Sequence, residues 1–496
     1  MKKILSCLAA LLLLSSCNFA PKYSRPSAPV STAFKEQPTP AAEPVAWTQA
    51  HPQDDAIRPK WWELYGEASL NGLEEQVQVS NQTLAADEAA YREARALVTE
   101  ARAALFPTVS TSPSYSAFRT SANVRGGTVA AGTGAAGGTS SVGSTSGSRG
   151  QIYTLPLEAT YEVDLWGRVR NTVAVNASNA QASAADLANA RLSLQAQVAQ
   201  DYFQIRALDE EKRILDAAAA SYRRNLNIAL NLFQNGIDSE EDVAQAQAQL
   251  DGAIADASDL GISRAQFEHA LAVLVGRAPA DFSLAPAVKF SAQPPPVPVA
   301  LPSQLLERRP DIAGAERRVA AANAQIVVAR AAYFPTLGLS ATGGFESSHF
   351  SNWLTWPSRF WSLGPQAAET LLDFGLRRGQ NAQARAAYDA AVADYRQAVL
   401  SAFQSVEDNL AALRILATEA GQRTTAANSS QHYLDLSLAR FKLGIDSYLN
   451  VSSAETAYLA NEESAVQIQL RRMLASVSLV MAMGGGWDVS QLPAHP

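Results

Sequence analysis

Ala101-Arg102-Ala103-Ala104-Leu105-Phe106-Pro107-Thr108 returns almost unchanged as Ala329-Arg330-Ala331-Ala332-Tyr333-Phe334-Pro335-Thr336. Two further pairs follow in the same order. Leu165-Trp166-Gly167 matches Asp373-Phe374-Gly375, and Phe233-Gln234-Asn235-Gly236-Ile237-Asp238-Ser239 matches Phe441-Lys442-Leu443-Gly444-Ile445-Asp446-Ser447. Three ordered matches make the chain two copies of one unit. The offset is 228 residues for the first pair and 208 for the others, so the first copy carries extra residues between Pro107 and Trp166. Gly and Ser crowd that segment, which reads as a lengthened loop from Thr120 to Gly150.

Each Phe-Pro-Thr run ends a helix, because proline lacks the amide the helix needs. The first helix is expected over Leu70–Leu105. After it the apolar period changes to two. Val109, Thr111, Tyr115 and Ala117 alternate with Ser110, Ser112, Ser114 and Ser116. Tyr153, Leu155, Leu157, Ala159, Tyr161 and Val163 alternate with Thr154, Glu158, Thr160, Glu162 and Asp164. The second copy repeats this, with Leu337, Leu339, Ala341 and Phe345 against Thr336, Ser340 and Thr342, then Trp361 and Leu363 against Ser362 and Gln366. Strands of this length cross a bilayer when tilted. Their polar faces suit a wet lumen, and Trp353, Trp356, Phe360 and Trp361 suit an aromatic girdle. Four strands leave open edges, which lipid does not tolerate, so copies must pool them. Two copies give a filled eight-stranded barrel and three a twelve-stranded one with an aqueous pore.

Each strand pair feeds a very long helix, Gly167–Gln234 and Gly375–Lys442, on the order of 100 Å at 1.5 Å per residue. Their apolar seams coincide at the 208-residue offset: Val198, Tyr202, Ile205, Leu208, Leu226, Leu230 and Phe233 against Val406, Leu410, Leu413, Leu416, Leu434, Leu438 and Phe441. Gly236 and Gly444 stop these helices, and Ser239 and Ser447 are expected to cap return helices over Ser239–Val275 and Ser447–Met483. The return helices have half the length, so stacking each on the short helix of a copy would match the long one. Between the copies Arg277–Pro302 is a Pro-rich linker, and Pro310 and Asp311 suit the start of the next helix. Trp61 and Trp62 are expected in the core.

The formal charge of −7 offers no basic stripe for nucleic acid. Both cysteines fall within the first seventeen residues. Lys2 and Lys3, the apolar run Ile4–Leu14, and small residues before Cys17 resemble a bacterial lipoprotein signal, in which Cys17 becomes the acylated first residue. Asn18 after it implies sorting to the outer membrane. The organisation expected is a signal over 1–16, an extended tether over 17–60, a first repeat over 61–276, a linker over 277–302, a second repeat over 303–484 and a tail over 485–496.

The Leu305-to-Ile312 helix entry, the Phe-Pro-Thr helix ends, the Trp/Phe-Gly strand exits and the Gly-Ile-Asp-Ser tips together resemble the outer-membrane efflux protein family. These are the TolC- and OprM-like channels, and the lipoprotein signal points to their NodT-type branch. The resemblance implies a mixed α+β membrane protein, a homotrimer with a twelve-stranded barrel and a twelve-helix periplasmic tube. It also implies a place as exit duct of a tripartite pump, joined by a periplasmic adaptor to an inner-membrane transporter of the RND type. The adaptor would meet the tips, Asn235, Gly236, Ile237, Asp238 and Ser239 with Leu443, Gly444, Ile445, Asp446 and Ser447. Family members narrow the closed mouth with acids in the second hairpin, where this chain has Asn450 and Ser453; the first copy offers Asp238 and Asp242 instead. As helix-start residues, those two acids have an equally plain structural reading.

No catalytic or metal constellation emerges: the five His (His51, His269, His349, His432, His495) lack ligand spacing, and no cofactor is expected. A periplasmic adaptor would have one hairpin between β-rich halves, against the two hairpins here. The same kind of duct serves type I protein secretion, which stands as the alternative to export of drugs or other small toxic compounds.

Overall fold

The computed structural model describes residues 23–28, 30, 33–36, 60–119, 149–237, 239–286, 290, 293–296 and 305–493. The first repeat comprises helices α1 (Ala68–Ser80) and α2 (Gln82–Ala103), strands β1 (Thr108–Thr111), β2 (Ser114–Arg119) and β3 (Arg149–Val163), helix α3 (Arg168–Gln234) and return helix α4 (Glu240–Leu274). The second comprises α5 (Pro310–Ala331), β4 (Thr336–Ser347), β5 (Arg359–Ala368), α6 (Leu376–Lys442) and α7 (Tyr448–Ala482). Both long helices have 67 residues, both return helices 35, and α2 and α5 have 22 each.

The repeats join into one layer of helices above one sheet. Next to the sheet the helices lie in the order α2, α3, α5, α6; toward the tips the order is α4, α3, α7, α6. Return helices stack on the short ones. The Asn81 side chain donates to the Leu274 carbonyl at 2.7 Å, and Arg309 Nη1 donates to the Ala482 carbonyl at 2.9 Å. A Cβ at Gly484 would lie 1.8 Å from the Arg308 carbonyl oxygen, so glycine is what lets the second pair of ends approach. Around the first junction, buried Trp61, Trp62, Val198, Tyr202, Ile205, Val406, Leu410 and Met483 form one core.

The strands make a single antiparallel sheet in the order β1/β2, β3, β4, β5. One row across it reads Val109, Ala159, Ala341, Leu363, and the next reads Ser110, Glu158, Thr342, Ser362. The expected alternation is therefore carried across the whole sheet, with an apolar face and a polar one. Trp361 and Leu363 stand out on the apolar side, 81% and 73% exposed. Among the described residues no helix is long and apolar enough to cross a membrane.

Several expectations are corrected. The helix expected over Leu70–Leu105 is two helices, because Asn81 leaves the helical conformation and its side chain accepts from Leu84 N at 2.9 Å, capping α2. The first strand breaks at Ser112-Pro113, where proline has no ladder donor. Arg149 and Gly150, assigned to the loop, open β3; the remainder of that loop, 120–148, lies outside the described residues. Phe233 is 42% exposed whereas its counterpart Phe441 is buried, so the seam is not symmetric at the tips. The tether is also partly docked. Tyr23 bonds Glu316, Arg25 donates to Tyr395 at 3.1 Å, and the amides of Lys35 and Glu36 donate to the Glu407 carboxylate at 2.7 and 3.0 Å. Cys17 lies outside the described residues.

Candidate functional site

At each tip the chain reverses through a left-handed glycine. Gly236 has φ 70° and Gly444 φ 66°. The Ile237 amide then reaches back to the Leu232 carbonyl at 2.9 Å, and Ile445 to Arg440 at 3.1 Å, closing the last carbonyls of α3 and α6. Each turn pushes apolar side chains into solvent: Ile237 is 67% exposed, Leu443 73% and Ile445 63%.

The two return helices start differently. Ser239 Oγ accepts from the Asp242 amide at 3.2 Å and donates to the Asp242 carboxylate at 2.8 Å, a reciprocal cap. Asp242 is thus bound up with the helix start. Ser447 does not repeat this, since its side chain makes no capping bond. There Asp446 takes over, accepting from the Ser447 amide at 3.2 Å, pairing with Arg440 Nε at 3.1 Å and accepting from the Asn450 amide side chain. The Asn450 hydrogen bond, with that of Arg440, holds the Asp446 carboxyl below its ordinary range. Ser453 turns inward on its own helix, donating to the Leu449 carbonyl at 2.9 Å. Asp238 lies outside the described residues.

About two turns from the tips a buried polar cluster joins the two hairpins, and sequence reasoning missed it. Asn225 of α3 donates to Glu455 of α7, and the Tyr448 hydroxyl lies 3.2 Å from Glu455 and 3.3 Å from Gln249 of α4. Glu455 is 2% exposed, and burial pushes its carboxyl up to about 7. Asn225 directly precedes seam residue Leu226, and Glu455 falls seven residues after Tyr448. Polar residues recurring at seam spacing were the available signal.

At the other end, the polar sheet face carries Glu158, Glu162 and Glu346 among Thr and Ser. Trp166, at the exit of β3, stacks on Phe334 with ring centroids 4.8 Å apart and donates Nε1 to the Pro335 carbonyl at 2.7 Å.

The pattern of the family described as "Outer membrane efflux protein" matches residues 73–277 and 301–485. The chain belongs to the outer membrane efflux protein family. The toluene efflux pump outer membrane protein TtgC of Pseudomonas putida is 29% identical over 489 residues, 98% of this chain and 96% of that one. The pyoverdine export outer membrane protein OpmQ of Pseudomonas aeruginosa is 30% identical over 492 residues, 98% and 97% of the two chains. Among solved structures, the outer-membrane channel OprN aligns with a TM-score of 0.82 at 25% identity, covering 95% of this chain and all of that one. The open-state MtrE outer membrane channel of Neisseria gonorrhoeae aligns at 0.77 and 26% identity, covering 95% and 99%. The resemblance carried by the repeated motifs is borne out, and with it the mixed α+β channel fold. In this outer-membrane efflux channel the sheet is the membrane part, and the two hairpins point away from it.

Proposed function

We propose that three copies of this efflux channel close into one duct, a twelve-stranded barrel on a twelve-helix tube, that passes small toxic compounds out of the cell. One observation carries the reading: the open edges of both layers fall on the same two sides. β1/β2 and α2 form one edge, β5 and α6 the other. At the 208- and 228-residue offsets, the counterparts of Trp166 and Phe334 are Phe374 and Phe106. These are 100% and 69% exposed, one at each edge. The contact that joins the repeats within a chain is thus available to join one chain to the next. Twelve strands leave an aqueous lumen, where eight would be filled by side chains.

Cys17 serves as the acylated anchor of each chain in the outer membrane. Six residues from Cys17 to Tyr23 span about 20 Å when extended. Tyr23 is held at Glu316, fifteen residues and so about 22 Å along α5 from its membrane end. The docked strap therefore suits an anchor in the periplasmic leaflet. The exposed tips, Asn235–Ser239 and Leu443–Ser447, meet a periplasmic adaptor, which links the duct to an inner-membrane transporter of the RND type. The solvents and antibiotics in the names of relatives indicate the cargo class.

A photo-crosslinking residue at Ile237 or Ile445 should capture a periplasmic adaptor in cells; capture of no periplasmic protein would overturn the adaptor reading. The mouth is held by Asp242 and Asp446, with Asn450 clamping the latter. Asp242→Ala and Asn450→Ala should each raise single-channel conductance, and unchanged conductance in both would place the constriction elsewhere.

A further inference from the structure

We propose that the outer rim of the barrel binds the phosphates of an acylated glycolipid in the outer leaflet, through Arg119, Arg149 and Arg359. This rests on the channel reading above, which makes the end of the sheet remote from the helices the extracellular end.

Arg119 and Arg149 are directly opposite partners across β2 and β3. Like charges facing across an antiparallel pair repel, with side chains about 5 Å apart at the Cβ atoms. Among the described residues neither makes an ion pair. The surrounding sequence supplies no acid either: there is no Asp or Glu from Thr108 to Leu157, nor from Ser347 to Ala368, in a chain of net charge −7. The acids are kept away from this end, and Glu346, beside it, projects to the polar face opposite Thr154.

The arginines also share a side. Arg119 and Arg149 continue the row parity of the Tyr115–Tyr153 pair, and Arg359 is in register with Phe345 and Leu155 on the apolar face. They therefore face lipid and not the lumen. Aromatic rings frame them: Tyr153 packs on Tyr115, Phe350 and Trp353 at 4.8, 5.6 and 5.8 Å, and the Arg359 guanidinium lies over the Trp356 ring. An aromatic belt at the membrane boundary, with Arg359 at its level and Arg119 and Arg149 four residues beyond Tyr115 and Tyr153, matches a headgroup of phosphates on a hydrocarbon body. A bound phosphate between Arg119 and Arg149 would turn their repulsion into two charge-assisted contacts. Cargo in the lumen would have no access to these groups, which favours a leaflet lipid as the anion.

The test uses the intact channel, purified in detergent and titrated with bis-phosphorylated lipid A, the same glycolipid without phosphates, and phosphatidylglycerol, with dissociation constants read by native mass spectrometry. Bis-phosphorylated lipid A should bind the wild type most tightly. Arg119→Gln or Arg149→Gln should weaken it about 5-fold, and the double variant about 30-fold, with no change for the dephosphorylated lipid. Arg149→Glu, which replaces the repulsive pair with an attractive one, should lose lipid binding while raising the heat stability of the lipid-free channel. Equal affinity for the two glycolipids, equal affinity of wild type and double variant, or tightest binding of phosphatidylglycerol would overturn the proposal and leave the channel reading intact. In parallel, Ser348→Cys should react with an impermeant maleimide on intact cells. Failure to label there would overturn the orientation, and the lipid site with it.

Discussion

Trp166 lies nearly parallel on Phe334, at 21° between ring planes, so the exit of the first strand pair is packed against the helix end of the second repeat. The equivalent Phe374 and Phe106 have no such cover within the chain. Trp166→Ala should therefore lower the stability of the single chain, while Phe374→Ala and Phe106→Ala should act on assembly. Each should cost roughly 3 kcal/mol per junction, the scale for removing a packed aromatic ring. The double variant should fall short of the sum by about 1 kcal/mol, the coupling of an aromatic pair, when trimer dissociation is followed by semi-native electrophoresis.

Burial of Glu455 beside Asn225 makes the contact between hairpins depend on pH. Burial raises the Glu455 carboxyl to about 7 in the folded chain, from 4.5. Between those values the folded state holds a proton that the unfolded state has lost, so stability falls as pH rises and levels off above 7. The change amounts to about 3 kcal/mol over that window. Asp201, pushed up to about 6, and Glu74, raised by full burial, act in the same direction elsewhere in the chain. A local readout is therefore needed. Hydrogen exchange around Asn225 and Glu455, corrected for intrinsic rates, should be slower at pH 5.5 than at pH 8, and Glu455→Gln should remove the difference. A difference that survives Glu455→Gln would assign it to another group.

The strap is held by the Glu407 carboxylate, which accepts from two successive amides, and by Phe34 against Phe403, with centroids 6.4 Å apart. Glu407→Ala should leave the exposed Lys35 amide and the half-buried Glu36 amide without this acceptor, at about 1 kcal/mol, the net scale of a hydrogen bond. Limited proteolysis should then cut near Lys35 much faster than in the wild type, with the trimer unchanged. Equal cleavage rates would show that Glu407 is not what holds this part of the strap.

At the tips, Gly236→Pro and Gly444→Pro remove both the left-handed turn and an amide that donates 2.9 Å to Phe233 or Phe441. The sheet, remote from this change, should still assemble. Export of a fluorescent efflux substrate should fail at normal channel abundance; normal export would show that the tip geometry is dispensable.

The repeat made most of this fold legible. The two long helices, their return helices, the strand alternation and the tip glycines all follow from periodicity and from Gly and Pro at defined places. What escaped was set by single side chains acting over long sequence distances. Asn81 breaks a helix because it caps the next one and donates to Leu274. The strap at Tyr23–Glu36 reads as low-complexity tether until Glu316, Tyr395 and Glu407 are brought beside it by the fold. Ser447 looks like Ser239, yet its helix lacks an acid equivalent to Asp242, so Asp446 and Arg440 organise the second tip instead. For the same reason Asn450, which stands where family members carry an acid, instead holds the Asp446 carboxylate.

On the proposed reading each chain is a third of a closed duct, with Phe374 of one copy against Phe106 of the next. Channel carrying both Phe106→Cys and Phe374→Cys should be treated in isolated membranes with a short bismaleimide and run fully denatured. A covalent trimer should be the largest product, with dimer as its partial product and neither species from the single-cysteine channels. Absence of crosslinked chains, dimer alone at saturation, or a ladder extending past three chains would contradict it.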